Sequence, residues 1–425
     1  MIIFKSTLRA LSRSLGILFL IACVFGCTES PQETRILRVG TSGDYEPFSM
    51  LNDQGEFEGY DIVLAEQFAA DNGYELKWVS FAWPDLISDL EAGKFDLAMS
   101  GVTIRKDRSL KAQFSVPLAM SGAVVIVPEG SVHNDIEEID REGFRLAVNE
   151  GGHLERVTRE HFSKASIVTT QDNQALPAML LAGEVDALVT DTMEAPYWLE
   201  RVKDAKALPP FTRDVKAALI HPDRSDLAGE LNGWLLEQEA NGNLGLWREE
   251  HLPTGNGTKT TSLISALLAA MVERLHLMVD VAESKRKTGK AIEDIEQEAR
   301  VIQAAVKGVA DLAEVNGQRA LDPKLVEHFF CAQIEAAKAI QRHTMRQSPS
   351  METTPDLVTE IRPALGRISA RINQLICSLA TTEGFDERRI RNQIQEALSA
   401  FDLPQNELQQ VADAFIALAL STKPS

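Results

Sequence analysis

The sequence predicts a two-lobed α/β domain followed by an all-α helical bundle. Three observations carry that prediction. From residue 36 to 252, short apolar runs alternate with amphipathic stretches, the pattern of helices layered on mostly parallel strands. The stretch Pro253-Thr-Gly-Asn-Gly-Thr-Lys-Thr is a linker by composition. Beyond it strand signals vanish, and everything to about Leu420 reads as helix.

The elements follow in order. Lys5, Arg9 and Arg13 precede an apolar stretch from Leu15 to Gly26, which reads as a signal peptide and is short for a membrane span. It ends in Leu20-Ile21-Ala22-Cys23-Val24-Phe25-Gly26-Cys27. A cysteine after small residues at such an end looks like a lipoprotein cleavage box. Cys27 directly precedes the polar tether and Cys23 has the better box, so lipidation falls on Cys27 (or Cys23), with plain secretory cleavage the alternative. Residues 28–35 then form the tether.

In the α/β part, Ile36 to Thr41 is a strand, Asp61 to Asn72 a helix, Leu76 to Val79 a strand and Trp83 to Ala92 a helix. Asp96 to Met99 is a strand running into Ser100-Gly101, and Val124 to Val127 crosses to a second lobe. The pattern repeats with strand Arg145 to Val148, a helix to His161, strand Ile167 to Thr169, helix Gln174 to Leu181 and strand Ala187 to Val189. Lys216 to Ile220 is the return crossing, and two helices follow. Two lobes joined by two crossings give a hinged cleft. The helical part spans 262–421, after a linker of 253–261. Asp322-Pro323 reads as an N-cap with proline at the first helical position, and Gln347 to Thr354 as a loop.

Composition narrows the function. The chain has 425 residues, 62 acidic and 43 basic, for a net charge of -19. That argues against nucleic acid or an anionic membrane surface as partner, leaving a lipid anchor as the one membrane link. No Cys/His cluster has metal-ligand spacing. Cys331 and Cys377 either pair or stay as free thiols. Nothing in the sequence chooses between monomer and homodimer.

The helical part carries the sharpest signal. From Ser262 to Lys287 the inward repeat runs Leu267, Met271, Arg274, Met278, Val281, Lys285, one face of a helix. Arg274 and Lys285 are about three turns, or ~16 Å, apart on that seam. Cations facing a bundle core are costly unless something anionic meets them. The next helix offers Asp294 and Glu298 at i,i+4, and the one after offers Gln333, Ala337 and Gln341. Two cations, two acids and amides suit a small dianion bearing a hydroxyl.

Those residues, in the strings Arg274-Leu-His-Leu-Met-Val-Asp-Val-Ala-Glu-Ser-Lys285, Ala291-Ile292-Glu-Asp294 and Phe329-Phe330-Cys-Ala-Gln333 to Gln341, resemble the secreted gamma class of all-helical chorismate mutase over about residues 262 to 380. The resemblance implies a Claisen rearrangement of chorismate to prephenate without cofactor or nucleophile. Arg274 and Arg362 would clamp the carboxylates, with Arg371 and then Arg367 as fallbacks. Lys285 and Gln341 would donate to the ether oxygen. Glu298, with Asp294, would accept from the ring hydroxyl. The family usually has an arginine where this chain has Gln297, which implies reduced activity; Arg300, one turn on, is the candidate to reach back.

The α/β part resembles the periplasmic amino-acid-binding proteins in Gly43-Asp-Tyr45-Glu-Pro47-Phe48, Gly59-Tyr60-Asp61, Phe95-Asp96-Leu-Ala-Met-Ser100-Gly101-Val-Thr103 and Arg108. Within that fold it is similar to cyclohexadienyl dehydratase in Trp83-Pro84, Asn149 with Gly151-Gly152, Asp172-Asn173 and Thr190-Asp191-Thr-Met-Glu194-Ala195. The resemblance implies a substrate site built from Tyr45, Trp83, Ser100, Thr103, Arg108, Asn149, Gly152 and Asp191. Arg108 takes a carboxylate, and Glu194 is the general acid that converts prephenate to phenylpyruvate, or arogenate to phenylalanine. The segment Pro117 to Ala123 lacks the basic residues expected for a second carboxylate, and His153 is a stand-in donor. The whole then reads as a periplasmic, lipid-anchored fusion of consecutive steps in phenylalanine biosynthesis. The alternative is a mutase fused to a non-catalytic receptor for an aromatic or amino acid.

Overall fold

The computed structural model describes residues 35–253, 263–318, 320–350, 353–380 and 385–421. The signal segment with Cys23 and Cys27, and most of the linker, lie outside the described residues.

Strand β1 (Arg35–Thr41) buries Leu37 and Val39. A small three-stranded sheet of β2 (Asp44–Tyr45), β3 (Ser49–Leu51) and β4 (Phe57–Glu58) leads into helix α1 (Tyr60–Asp71). Strand β5 (Tyr74–Ser80), helix α2 (Leu86–Glu91), strand β6 (Leu97–Ala98), helix α3 (Lys106–Lys111) and strand β7 (Gln113–Phe114) complete most of the first lobe. Strand β8 (Ala119–Ser121) begins the crossing to the second lobe. That lobe holds β9 (Ala123–Pro128), β10 (Arg145–Asn149), α4 (His153–His161), β11 (Ser166–Thr170), α5 (Leu176–Leu181), β12 (Ala187–Asp191), α6 (Ala195–Arg201) and β13 (Ala205–Ala207). Strand β14 (Asp214–Lys216) returns antiparallel to β8, and β15 (Leu219–Ile220) re-enters the first sheet.

The sheets run β5-β1-β6-β15-β7 and β11-β10-β12-β9-β13. Strand β9, buried along most of its length, reads as an unbroken apolar run, while β12 is apolar to Val189 and ends in the buried Thr190 and Asp191. Helices α7 (Ser225–Ala240) and α8 (Asn243–His251) return to the first lobe, where Trp234 meets Phe68 edge-on. The predicted strands and helices of this part appear with ends shifted by a few residues. The short strands β2 to β4 and helix α3 were not anticipated, since two- to six-residue elements carry too little periodicity to read.

The helical domain comprises α9 (Leu263–His276), α10 (Met278–Thr288), α11 (Ile295–Val315), α12 (Pro323–Arg346), α13 (Arg362–Leu379), α14 (Glu387–Leu398) and α15 (Gln405–Leu420). The segment expected as one helix from 262 to 287 is interrupted at Leu277, though both halves keep the same inward seam. Asp294 is the N-cap of α11, accepting from Gln297 N at 3.1 Å, so it precedes the helix instead of sharing a face with Glu298. Aspartate does this because its short carboxylate satisfies amides that the first turn leaves free. Asp322 caps α12 ahead of Pro323 as expected.

The two domains touch through the first lobe: α13 packs on α7, α3 and β7, and α9 packs on α3. Cys331 and Cys377 are both free, and burial pushes the Cys377 thiol up to about 11.

Candidate active sites

The cleft between the lobes is shut down to a cavity of about 30 Å³. Its wall includes Tyr45, Trp83, Thr103, Arg108, Asn149 and Gly152, all expected. Lobe closure depends on two glycines at positive φ. A Cβ on Gly101 would sit 2.7 Å from Tyr45, and one on Gly151 2.6 Å from Pro84 across the cleft. Arg108 is buried, donates to the Thr103 carbonyl at 3.0 Å and leaves Nε without a partner among the described residues. Burial, reinforced by Arg105, pulls its pKa down to about 9, so it stays cationic at neutral pH.

Two expected residues are placed differently. Ser100 turns its hydroxyl to Ser42 at 2.8 Å, and its neighbour Gly101 takes the place on the cavity wall. Asp191 is fully buried and committed: Oδ1 accepts from the amides of Met193 and Glu194 at 2.9 and 3.1 Å, and Oδ2 faces Lys216 Nζ at 2.9 Å and the Tyr45 hydroxyl. A buried carboxylate must be paired in this way or be lost as a charge.

Lys216 was missed. Its Nζ also donates to Tyr45 at 2.8 Å and Thr103 at 3.0 Å, and it lines the cavity. The basic residue absent from the outward crossing is supplied by the return crossing, within the string Asp214-Val215-Lys216. His153 lines the cavity too, with Nε2 at 2.9 Å from Asp214 Oδ1. Burial lowers its pKa, so it is neutral at pH 7.

Glu194 has no exposed surface and lies just behind that wall. Its Oε1 accepts from Asn173 Nδ2 at 2.7 Å and its Oε2 from Thr190 Oγ1 at 2.6 Å. Asn173, itself on the cavity wall, is the second functional residue that was missed. Burial raises the Glu194 pKa well above the carboxylate range, and Asp191 adds to the shift. Low dielectric and a neighbouring carboxylate both favour the protonated form.

The second site is an open cavity of about 410 Å³ in the helical domain. Arg274, Lys285, Asp294, Gln297, Glu298, Gln341 and Arg362 all line it. Arg274 is buried with Nε and Nη1 unpartnered among the described residues, and burial alone lowers it to about 10. Lys285 Nζ donates to the Ile292 carbonyl at 2.6 Å, and burial lowers its pKa. Gln341 keeps Oε1 unpartnered. Arg362 Nη2 lies 3.6 Å from Asp294.

Several alternatives are settled by direction. Arg371 and Arg367 point away from this cavity, to carbonyls of the first lobe. Arg300 is exposed and bonds the Gln297 side chain at 3.0 Å, so it does not reach back into the pocket. Gln333 is buried off the cavity. Lys338 was not foreseen: it is buried on the cavity wall, and its Nζ meets Glu298 Oε2 at 3.2 Å. It shares the face of Ile334 and Gln341, a spacing the count along Gln333, Ala337 and Gln341 stepped over. Among the described residues no group of three or more His, Cys, Asp or Glu side chains could hold a metal.

A hinged two-lobed cleft with a buried arginine defines a solute-binding fold, and the chain belongs to the bacterial extracellular solute-binding proteins, family 3, whose profile matches residues 37–254. The chorismate mutase type II profile matches residues 262–342. The chain is 32% identical over 234 residues to cyclohexadienyl dehydratase of Pseudomonas aeruginosa, which covers 53% of this chain and 87% of that relative. Identity to an L-cystine-binding protein of Escherichia coli is 26% over 221 residues, covering 52% and 83%. Among solved structures, an ancestral amino acid-binding protein described as a precursor of cyclohexadienyl dehydratase is 30% identical, covering 51% of this chain and 96% of its own, with a TM-score of 0.49. The protein is thus a cyclohexadienyl dehydratase-like domain fused to a chorismate mutase domain. No helix among the described residues is long and apolar enough to cross a membrane.

Proposed function

We propose that the chain performs two consecutive steps: chorismate to prephenate in the helical cavity, then prephenate to phenylpyruvate in the cleft. The observation that carries the second step is Glu194. A carboxyl held fully buried by two neutral donors, with no ion-pair partner among the described residues, is poised to give up a proton.

In the cleft, Arg108 binds one carboxylate of prephenate. Thr103, whose hydroxyl oxygen accepts from Lys216, offers its O–H to the other, with the Lys216 ammonium as the nearby positive charge. As Glu194 protonates the departing ring hydroxyl, the C–O and C–CO2 bonds break together, releasing water and CO2 and leaving the aromatic ring of phenylpyruvate. A cavity of about 30 Å³ cannot hold the substrate, so entry has to widen the cleft and bring the hydroxyl to Glu194. Asp191 is already paired with Lys216, and among the described residues no carboxylate lines the cavity to receive an ammonium group. That favours prephenate over arogenate.

In the helical cavity, Arg274 and Arg362 clamp the two carboxylates of chorismate. Lys285 and Gln341 donate to the ether oxygen as negative charge builds there, and Glu298 takes the ring hydroxyl. The rearrangement is unimolecular, so the site works by holding the folded conformer and stabilising developing charge. Lys338 supplies, from α12, a cation that Gln297 does not supply from α11. The segment ahead of residue 35 directs export and attaches a lipid at Cys27 or Cys23, which puts both reactions in the periplasm at a membrane surface.

Incubating the chain with pure chorismate, while following chorismate loss and phenylpyruvate formation together, tests both steps. Both changing supports the fusion enzyme. Prephenate accumulating without phenylpyruvate would leave the cleft as a receptor.

A further inference from the structure

The wall between the two sites is built from two pairs of adjacent residues. On α3, Arg108 lines the cleft while the next residue, Ser109, faces the helical domain. On α9, Arg274 lines the mutase cavity while the preceding residue, Glu273, faces back toward α3. Ser109 Oγ donates to Glu273 Oε1 at 2.7 Å. The other Glu273 oxygen is ion-paired with Arg371 of α13, whose Nη1 donates to the carbonyls of Phe114 and Ser115 at 2.9 and 3.2 Å. Arg367, one turn earlier, donates to the carbonyls of Ser109 and Leu110 at 3.1 and 3.2 Å. Ser109, Glu273 and Arg371 are exposed by only 2%, 4% and 3%.

A helix as short as α3, with 6 residues, has little stability of its own. Its position is set by what it packs against. Among the described residues the Arg108 side chain makes a single hydrogen bond, to the carbonyl of Thr103 just ahead of α3. The direction of its guanidinium is therefore inherited from α3, and the polar contacts that fix α3 from behind come from the helical domain. Burying the Glu273–Arg371 ion pair within the helical domain is costly where apolar groups would serve. Its value here is directional: Glu273 accepts from Ser109 on α3, and Arg371 donates to Phe114 of β7 and to Ser115 just after it.

We propose that Glu273 is a positioning residue for Arg108. With Ser109 and Arg371 it forms a clamp by which the mutase domain fixes the carboxylate-binding arginine of the dehydratase cleft. The proposal rests on Arg108 binding a substrate carboxylate.

The test uses the full chain, with prephenate supplied directly and phenylpyruvate formation followed. Ser109→Ala leaves the Glu273–Arg371 pair in place; it should raise the KM for prephenate about tenfold while kcat stays within about twofold, the signature of a displaced binding group. Ser109→Thr keeps the hydroxyl and should restore KM. Glu273→Gln should shift KM in the same direction. Arg108→Lys is the control for the underlying reading. If Arg108→Lys raises KM while Ser109→Ala and Glu273→Gln leave it at the wild-type value, the clamp is refuted. If Arg108→Lys also leaves KM unchanged, the carboxylate assignment has failed instead. A fall in kcat at constant KM, or a loss of folded protein with normal kinetics in the remainder, would mean the cluster only stabilises the interface and would overturn the proposal.

Discussion

The two candidate active-site cavities are built in opposite ways. The helical one holds about 410 Å³ and draws its polar groups from helices α9 to α13, or the segments just before them, within one bundle. The cleft holds about 30 Å³, and its residues come from two lobes that must part to admit anything. The chemistry explains the difference. A pericyclic rearrangement needs a mould and fixed donors, so a rigid, preformed cavity suffices. An acid-assisted elimination needs a carboxyl kept protonated at neutral pH. That requires burial, and burial beside a substrate requires closure.

Substitutions that act on one cavity alone sharpen this contrast. Glu194→Gln should lower phenylpyruvate formation by at least about 10²-fold, the contribution of a general acid, and leave chorismate loss unaffected. An unchanged phenylpyruvate rate would remove the catalytic reading of the cleft. Lys285→Ala should cost about 3 kcal/mol in the mutase barrier, or roughly 10²-fold in kcat, with supplied prephenate still turned over normally. A small effect would mean that Gln341 carries the ether oxygen by itself.

The cavities should also differ in pH dependence. Glu194 must be protonated to act, and its pKa is raised by burial. Dehydratase kcat/KM is therefore full below that pKa and falls about tenfold per pH unit above it. A fall that already sets in within the ordinary carboxylate range, or a rate that rises with pH, would count against Glu194. The mutase should be flat near neutrality, because Gln341 does not titrate. Its decline should come only on the alkaline side, where Lys285, lowered by burial, loses its proton.

Smaller effects test the replaced cation and the closing lobes. Lys338→Ala should lower mutase kcat/KM about tenfold, as expected for removing one charged hydrogen-bond partner. Gln297→Arg in that background should recover most of the loss. If Lys338→Ala is silent, Lys338 only neutralises Glu298. Gly151→Ala places a methyl within 2.8 Å of the Pro84 backbone at positive φ; by holding the lobes apart it should reduce dehydratase kcat/KM by about tenfold or more and leave the mutase alone. Equal losses in both activities would point to general destabilisation.

Much of this was legible in the chain. The seam Arg274, Met278, Val281, Lys285 has helical period, so its members share a face whatever surrounds them, and all four line the cavity. Glu194 and Arg108 were legible through local motifs. Lys216 was not, because it reaches Tyr45 and Thr103 from β14, more than a hundred residues along the chain. Lys338 is visible in sequence only as one more lysine on an amphipathic helix. Arg371 and Arg362 lie on one helix, and no pattern along it says which faces the cavity and which faces the first lobe.

The sequence by itself determined what repeats locally. Alternating strands and helices, caps such as Asp322-Pro323, and the polar seam of the bundle are set by periodicity and by the needs of the nearest backbone. Tertiary structure decided what depends on distance between remote segments. It buried Glu194 and so kept it an acid, turned Lys216 onto Asp191, and set Glu273 and Arg371 between the two sites. Burial and charge pairing act through space, and a linear pattern does not record which residues the fold will bring together.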